Sequence, residues 1–274
     1  MMKTFWIRTA TALLFAALMV VGIFWNQYSF FLLMSVILMG SLYEYFIIIH
    51  SEEKDKRSTR LVLFIFWFFY AASFFLPQIP VAVLIGVLAF KLLARPLFFK
   101  SEQPFSKTQH DLLPVLWISL PIMLTNQIFF EKGPYFLFAI FSLIWIYDSG
   151  CYIVGSLVGK NKLMEHVSPK KTIEGAQGGI VITFIIAYFF NRIPQLAELS
   201  SLEWLLIALV VVICATIGDL VESAFKRSYQ VKDSGSIMPG HGGFLDRFDA
   251  YFFTVPFVML ALWLFDFVRR SDFF

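Results

Sequence analysis

Residues 223–249 read SAFKRSYQVKDSGSIMPGHGGFLDRFD. Lys226, Arg227, Lys232, Asp233, His241, Asp246, Arg247 and Asp249 crowd into this stretch, while the segments on either side, near 202–219 and 249–268, are almost wholly apolar. That alternation decides the fold class, because an apolar run of about 20 residues is the length of helix that crosses a bilayer. A charged stretch between two such runs is therefore a loop at one membrane face. Working outward, further apolar segments lie near 9–25, 28–49, 61–76, 80–94, 111–127, 135–158 and 176–191. The set predicts an all-α polytopic integral membrane protein of about nine transmembrane helices. Pro114 and Pro121 interrupt the fifth segment and predict a tilted or partly re-entrant helix there.

Composition agrees with that reading. Of 274 residues, 59% are hydrophobic and 15% charged, against about half and a quarter in soluble domains. No long polar segment is left over for a separate soluble domain, so the chain reads as a single membrane domain over 1–274. The formal charge of +3 gives no reason to expect a nucleic-acid partner. Cys151 and Cys214 fall inside apolar segments and read as buried free thiols. The first segment reads as a span rather than a signal peptide, since another span follows it at once.

Lys and Arg set the orientation, because cytoplasmic loops hold the excess of them. With nine spans, 18 basic residues fall on one side and only Lys132, Arg192, Arg269 and Arg270 on the other. The expected N-terminus is cytoplasmic and the C-terminus external. Both chemically loaded stretches, 159–175 and 219–249, then face the cytoplasm, where nucleotides are available.

The segment ICATIGDLVESAFKRSYQVKDSG (213–235) reads as a helix leaving the bilayer near Asp219, with Asp219, Ser223 and Lys226 or Arg227 on one face. A carboxylate at that depth needs a metal ion or a cation beside it; a structural Asp219–Lys226 ion pair is the plainer alternative. Pro239, Gly240, Gly242 and Gly243 form a tight turn whose N–H groups, with the N-terminus of the following helix, can converge on an anion. His241 lies inside that turn as a phosphate-donor candidate. Asp246 and Asp249, three apart, can join Asp219 in offering the hard oxygen ligands Mg²⁺ prefers, and Arg247 adds a planar fork for phosphate. A second polar set, Ser168-Pro169-Lys170-Lys171-Thr172 with Glu174 and Gly175, follows a helix bearing Asp148, in which Gly150, Gly155 and Gly159 allow close packing. Two glycine-flanked basic clusters on one side point to one shared phosphate site, whereas lysines that only contact anionic lipid would need no such company.

These residues resemble the phosphatidate cytidylyltransferase, or CDP-diacylglycerol synthase, family. The resemblance rests on Ser223, Lys226, Arg227, Lys232, Asp233, Gly235, Pro239, His241, Gly242, Gly243, Asp246, Arg247 and Asp249, with Met238 where another apolar residue is usual. It extends to Ser168–Gly175, with Ile173 where an aromatic is frequent. These motifs cover the C-terminal half; residues 1–130 resemble the family in hydropathy only. The resemblance implies N-terminal helices over 1–130 and catalytic helices and cytoplasmic loops over 131–274. It implies transfer of a cytidylyl group from CTP to phosphatidate, giving CDP-diacylglycerol and pyrophosphate, with Mg²⁺ as cofactor and a bacterial-type inner membrane as location. By that logic Asp219 and Asp246 hold metal, with Asp249 and Asp148 as further metal candidates. Lys226, Arg227, Lys232, His241 and Arg247 act on phosphates, and Lys170, Lys171, Thr172, Glu174, Ser223, Asp233, Gly242 and Gly243 line the substrate site. Symmetric pairing into a homodimer is compatible with such a protein. The rival readings are a CTP-dependent lipid-alcohol kinase, which would release CDP, and a transporter, for which Glu44 and Lys91 supply charge within spans. A membrane scaffold would not need the glycine-flanked basic chemistry.

Overall fold

The computed structural model describes residues 2–49, 56–98, 110–237 and 242–271. The chain is almost entirely helical: α1 (Met2–Phe24), α2 (Gln27–Ile49), α3 (Lys56–Phe75), α4 (Val81–Phe98), α5 (His110–Val158), α6 (Ile173–Phe189), α7 (Ser201–Ser228) and α8 (Leu245–Ser271). Among the described residues, five helical stretches are long and apolar enough to cross a membrane, namely α2, α5, α6 continued to Arg192, α7 and α8; shorter apolar helices cover Thr9–Phe24, Arg60–Phe75 and Val81–Leu93. Each apolar run of the sequence thus falls on a helix, and two runs, 111–127 and 135–158, share α5.

As a straight rod the 49 residues of α5 would extend about 74 Å, more than twice the roughly 30 Å hydrocarbon core. The helix breaks instead at Gly133, whose φ of 82° and ψ of 173° are non-helical. Only glycine adopts that conformation readily, and Pro134 after it can begin a new helix but not continue the old one. Pro114 and Pro121, by contrast, do not break the helix. The expected re-entrant interruption is replaced by a π-helical turn, Val115–Ser119, closed by the Leu120 N–H on the Val115 carbonyl. Pro121 has no N–H to give, and the wider turn absorbs that loss within a continuous segment.

The chain forms two compact units, Met1–Gln127 with Tyr229–Phe248, and Ile128–Ser228 with Asp249–Phe274. The polar stretch 229–248 groups with the N-terminal helices. In the first unit, Asn26 caps α2, its Oδ1 accepting from Tyr28 N (2.8 Å) and Ser29 N (2.9 Å), so α1 and α2 turn back on each other through two residues. Phe31 stacks on Tyr70 with centroids 5.3 Å apart, and Tyr70 donates its hydroxyl to the Phe31 carbonyl. Buried rings with a satisfied polar tip hold α2 to α3 in this way.

In the second unit Phe141 stacks on Tyr251 at 4.2 Å, and Trp204 packs between Phe136 and Phe190. Between α5 and α6 lies a two-stranded antiparallel hairpin, β1 (Lys162–Met164) and β2 (Ser168–Thr172), pairing Lys162 with Thr172. This departs from the all-α expectation: a short polar segment between two spans satisfies its backbone by pairing with itself. One end of the unit is an ionic group in which Lys132 meets Glu198, and Arg269 meets Glu203 and the Glu198 carbonyl. Glu203 and Lys226 both lie on α7, and the 23 residues between them rise about 35 Å, close to a bilayer's thickness.

Candidate active site

In the second unit the site is built by glycines. Gly175 and Gly179, four apart on α6, lie against α5: a Cβ on Gly179 would stand 2.5 Å from Cys151 Sγ and 3.0 Å from the Tyr147 carbonyl, and one on Gly175 would stand 3.1 Å from Gly155 Cα. Helices with small residues at that spacing approach backbone to backbone. On the other side Gly218 brings α7 onto α8, where an added Cβ would lie 2.8 Å from the Asp249 carbonyl and 3.1 Å from Ala250 Cα. Tyr147 pins α5 to α7, its hydroxyl 2.5 Å from Thr216 Oγ1, and Thr216 donates onward to the Val212 carbonyl.

These contacts gather Asp148, Asp219, Asp249 and Lys171. Lys171 Nζ lies 2.5 Å from Asp219 Oδ2, and Ser223 Oγ donates to Asp219 Oδ1 at 3.3 Å. Asp249 lies within the field of Asp219, of Asp148 and of Lys171. The cation of Asp219 is thus Lys171, from the hairpin, and not Lys226. Seven residues separate Asp219 from Lys226, about 10 Å along the helix. Lys226 is buried and pairs with Glu222 at 2.7 Å, the i,i+4 order with Glu first that helices favour. That spacing was visible in the sequence, and Glu222 is the partner that sequence reasoning missed.

Thr172 and Glu174 serve the fold around Lys171. Thr172 is the N-cap of α6, its Oγ1 accepting from Gly175 N at 3.2 Å. Glu174 accepts from the backbone N–H groups of Lys160 and Asn161 and from Asn161 Nδ2, so it ties down the turn that opens the hairpin. Lys170, next to Lys171 on β2, is exposed. Arg227 is exposed as well.

In the first unit the polar loop ends on α8. Gly242 has φ 82°, and a Cβ there would run into the Asp246 carboxylate. Asp246 Oδ2 accepts from Gly243 N (2.9 Å), Ser234 N (2.9 Å) and Ser234 Oγ (3.0 Å). Glu44, near the C-terminal end of the membrane-length helix α2, accepts from Phe244 N, Leu245 N and Ser234 Oγ. The first N–H groups of α8 are therefore satisfied by two protein carboxylates, where the sequence suggested that they would face a phosphate. Lys232, Asp233 and Arg247 stand exposed beside this network. His241, with Pro239 and Gly240, lies outside the described residues.

Among the described residues no three Asp, Glu, His or Cys side chains are grouped as a metal site. What the second unit offers is Asp219 with Lys171 as counter-charge, and Asp249 on α8 where Gly218 brings the two helices together, with Asp148 and Asp219 both acting on it electrostatically. The donor set fits Mg²⁺, a hard cation commonly held by one or two carboxylates with water and substrate phosphate completing its octahedron.

A membrane-embedded helical protein with paired carboxylates and lysines at one end of its spans matches a known class. Residues 6–265 match the cytidylyltransferase family, and the chain belongs to it. Among its relatives, it is 48% identical over 135 residues to the phosphatidate cytidylyltransferase of Bacillus subtilis (strain 168), a match covering 49% of this chain and 50% of that protein. It is 38% identical over 177 residues to the phosphatidate cytidylyltransferase of Staphylococcus epidermidis, covering 64% of this chain and 66% of the relative, and 35% identical over the same length to that of Staphylococcus aureus. The matches thus span between half and two thirds of the relatives' length.

Proposed function

We propose that this chain transfers a cytidylyl group from CTP to phosphatidate, giving CDP-diacylglycerol and pyrophosphate. The observation that carries the reading is the Lys171–Asp219 pair with Asp249 beside it, in a chain of the cytidylyltransferase family whose relatives bear the phosphatidate cytidylyltransferase name. An oxygen of the lipid phosphate attacks the α-phosphorus of CTP; the new P–O bond forms as the bond to the β-phosphate oxygen breaks, and pyrophosphate leaves with the electron pair. The nucleophile is a phosphate monoester, largely dianionic at neutral pH with its second pKa near ~6, so no general base is required. Catalysis is positioning and charge neutralisation.

In this scheme Asp219 and Asp249, with Asp148 as a further candidate, would hold Mg²⁺, and the bound ion would offset charge on the triphosphate; Asp246 is the carboxylate of the polar loop that the family resemblance assigns to metal. Lys171, Lys170, Arg227, Lys232, Arg247 and His241 bind phosphate oxygens, and Ser223 orients Asp219. Lys226, buried against Glu222, contributes its charge to the same end of α7. Nine spans with a cytoplasmic N-terminus place this end of the protein on the cytoplasmic side of a bacterial inner membrane. The acyl chains of phosphatidate then stay in the bilayer while its headgroup meets the nucleotide.

The test is pyrophosphate release by the purified full chain from CTP and phosphatidate, with and without Mg²⁺, beside Asp246→Asn. Release that requires both substrates and metal, and falls at least ~100-fold in the variant, is expected. CDP release without pyrophosphate would move the assignment to a lipid kinase. CTP left unconsumed with any lipid would return transport to the front.

A further inference from the structure

Glu44 is the one charged residue of α2, a 23-residue helix otherwise apolar or uncharged, and it is 2% exposed. A carboxylate at such a position is retained only where donors match it. Its donors come from the loop that carries the motif residues and from the start of α8: Ser234 Oγ at 2.7 Å, Phe244 N at 2.9 Å and Leu245 N at 3.0 Å. Gly235 and Gly243 leave the space for it, since a Cβ on either would collide with the Glu44 carboxylate. Ser234 also binds Asp246, its Oγ lying 3.0 Å from Oδ2 and accepting from Asp246 N at 3.3 Å. A helix N-terminus attracts an anion, and here the anion is a side chain from a distant helix.

We propose that Glu44 is a positioning residue of the transfer reaction: through Ser234 and the first N–H groups of α8, it fixes the segment that presents Asp246 and Arg247. Such a residue acts through the groups it holds rather than on the reacting atoms. The proposal rests on the function proposed above. A glutamine here keeps the size but offers one acceptor oxygen and turns an NH₂ donor toward N–H groups; aspartate keeps the charge on a shorter stem.

The experiment compares wild type, Glu44→Gln, Glu44→Asp, Ser234→Ala and the Glu44→Gln/Ser234→Ala double variant as full chains in detergent. Pyrophosphate release and amide hydrogen exchange over 242–248 without substrates are the two readouts. Expected for Glu44→Gln is a kcat loss of about 10- to 100-fold, the scale of a sub-ångström to 1 Å misplacement, with KM for CTP within about threefold and faster exchange at 242–248 only. Glu44→Asp recovers part of the rate, and the double variant is no worse than the poorer single one, as residues acting through each other require. Wild-type kcat in Glu44→Gln, unchanged protection of 242–248, or additive losses would each overturn the proposal. A wild-type protein that released no pyrophosphate would remove the functional reading, and hydrogen exchange would still judge the anchor. If Glu44→Gln does not fold, Glu44→Asp and Ser234→Ala carry the same comparison.

Discussion

Lys171 and Lys170 are adjacent lysines with different surroundings. The strand β2 turns Lys171 toward Asp219, where the two side chains are 28% and 31% exposed, and leaves Lys170 facing outward. An ion pair with that much exposure contributes little to stability, so its value lies in chemistry. Lys171→Met is expected to lower kcat/KM for cytidylyl transfer by about 100- to 1,000-fold, the scale of losing one preorganised charge partner, with little change in thermal unfolding. Lys170→Met should lose less than about tenfold, as an outward phosphate contact would. Equal losses in the two variants, measured under saturating phosphatidate, would show that the Asp219 pairing does not single out Lys171. Carboxylates with a depth problem were legible in sequence at both Asp219 and Glu44, because a charge within an apolar run needs a partner. The partners were not legible, since Lys171 and Ser234 are supplied by distant loops. Glu222–Lys226 is the exception, being a pair within one helix.

Among the elements, close helix packing is what the glycines provide, and their surroundings differ enough to be tested against each other. At Gly218 a methyl group would meet the backbone of α8 at Asp249 and Ala250, and neither can retreat without moving the helix. Gly218→Ala is expected to destabilise the fold by about 1–3 kcal/mol, as overpacking does, and to lower activity because Asp219 and Asp249 are driven apart. At Gly86, on α4, an added methyl meets nothing within 4 Å, so Gly86→Ala should unfold at or slightly above the wild-type temperature. Thermal unfolding in one detergent decides this, and a Gly218→Ala protein as stable and active as wild type would mean that α7 and α8 have slack. Helix positions followed from hydropathy, as did the close-packing role of Gly150 and Gly155. The hairpin 162–172 did not, because a short polar segment carries no periodicity long enough to read; the break in α5 at Gly133 falls in the gap between the runs 111–127 and 135–158, whereas the interruption expected at Pro114 and Pro121 is absorbed by a π-helical turn.

For the whole molecule, the distribution of 18 basic residues against four predicts one orientation. The ionic group of Lys132, Glu198, Glu203 and Arg269 and the Lys171–Asp219 pair lie toward opposite ends of the second unit's α7, so labelling near each end reads the orientation directly. Single cysteines at Lys162 and at Arg192, in a background lacking Cys151 and Cys214, are expected to react with an impermeant maleimide from opposite sides of the membrane. Lys162→Cys should label only in inverted vesicles and Arg192→Cys only in intact spheroplasts. Labelling of both from one side would sink the topology, and with it the cytoplasmic placement of the nucleotide site.

By itself the sequence determined the membrane class, the position of each apolar helix, the charge asymmetry and the motif residues, because hydropathy and charge act locally and survive without knowing what packs where. Only the tertiary structure decided which charges meet. Asp219 takes Lys171 and not Lys226; the start of α8 takes Glu44 and Asp246 where an external anion was expected; Thr172 and Glu174 hold the hairpin that aims Lys171. The Lys171–Asp219 and Glu44 contacts join segments far apart in the chain, and the hairpin and loop that carry their partners are held by short-range caps, so no spacing within one helix encodes either pairing.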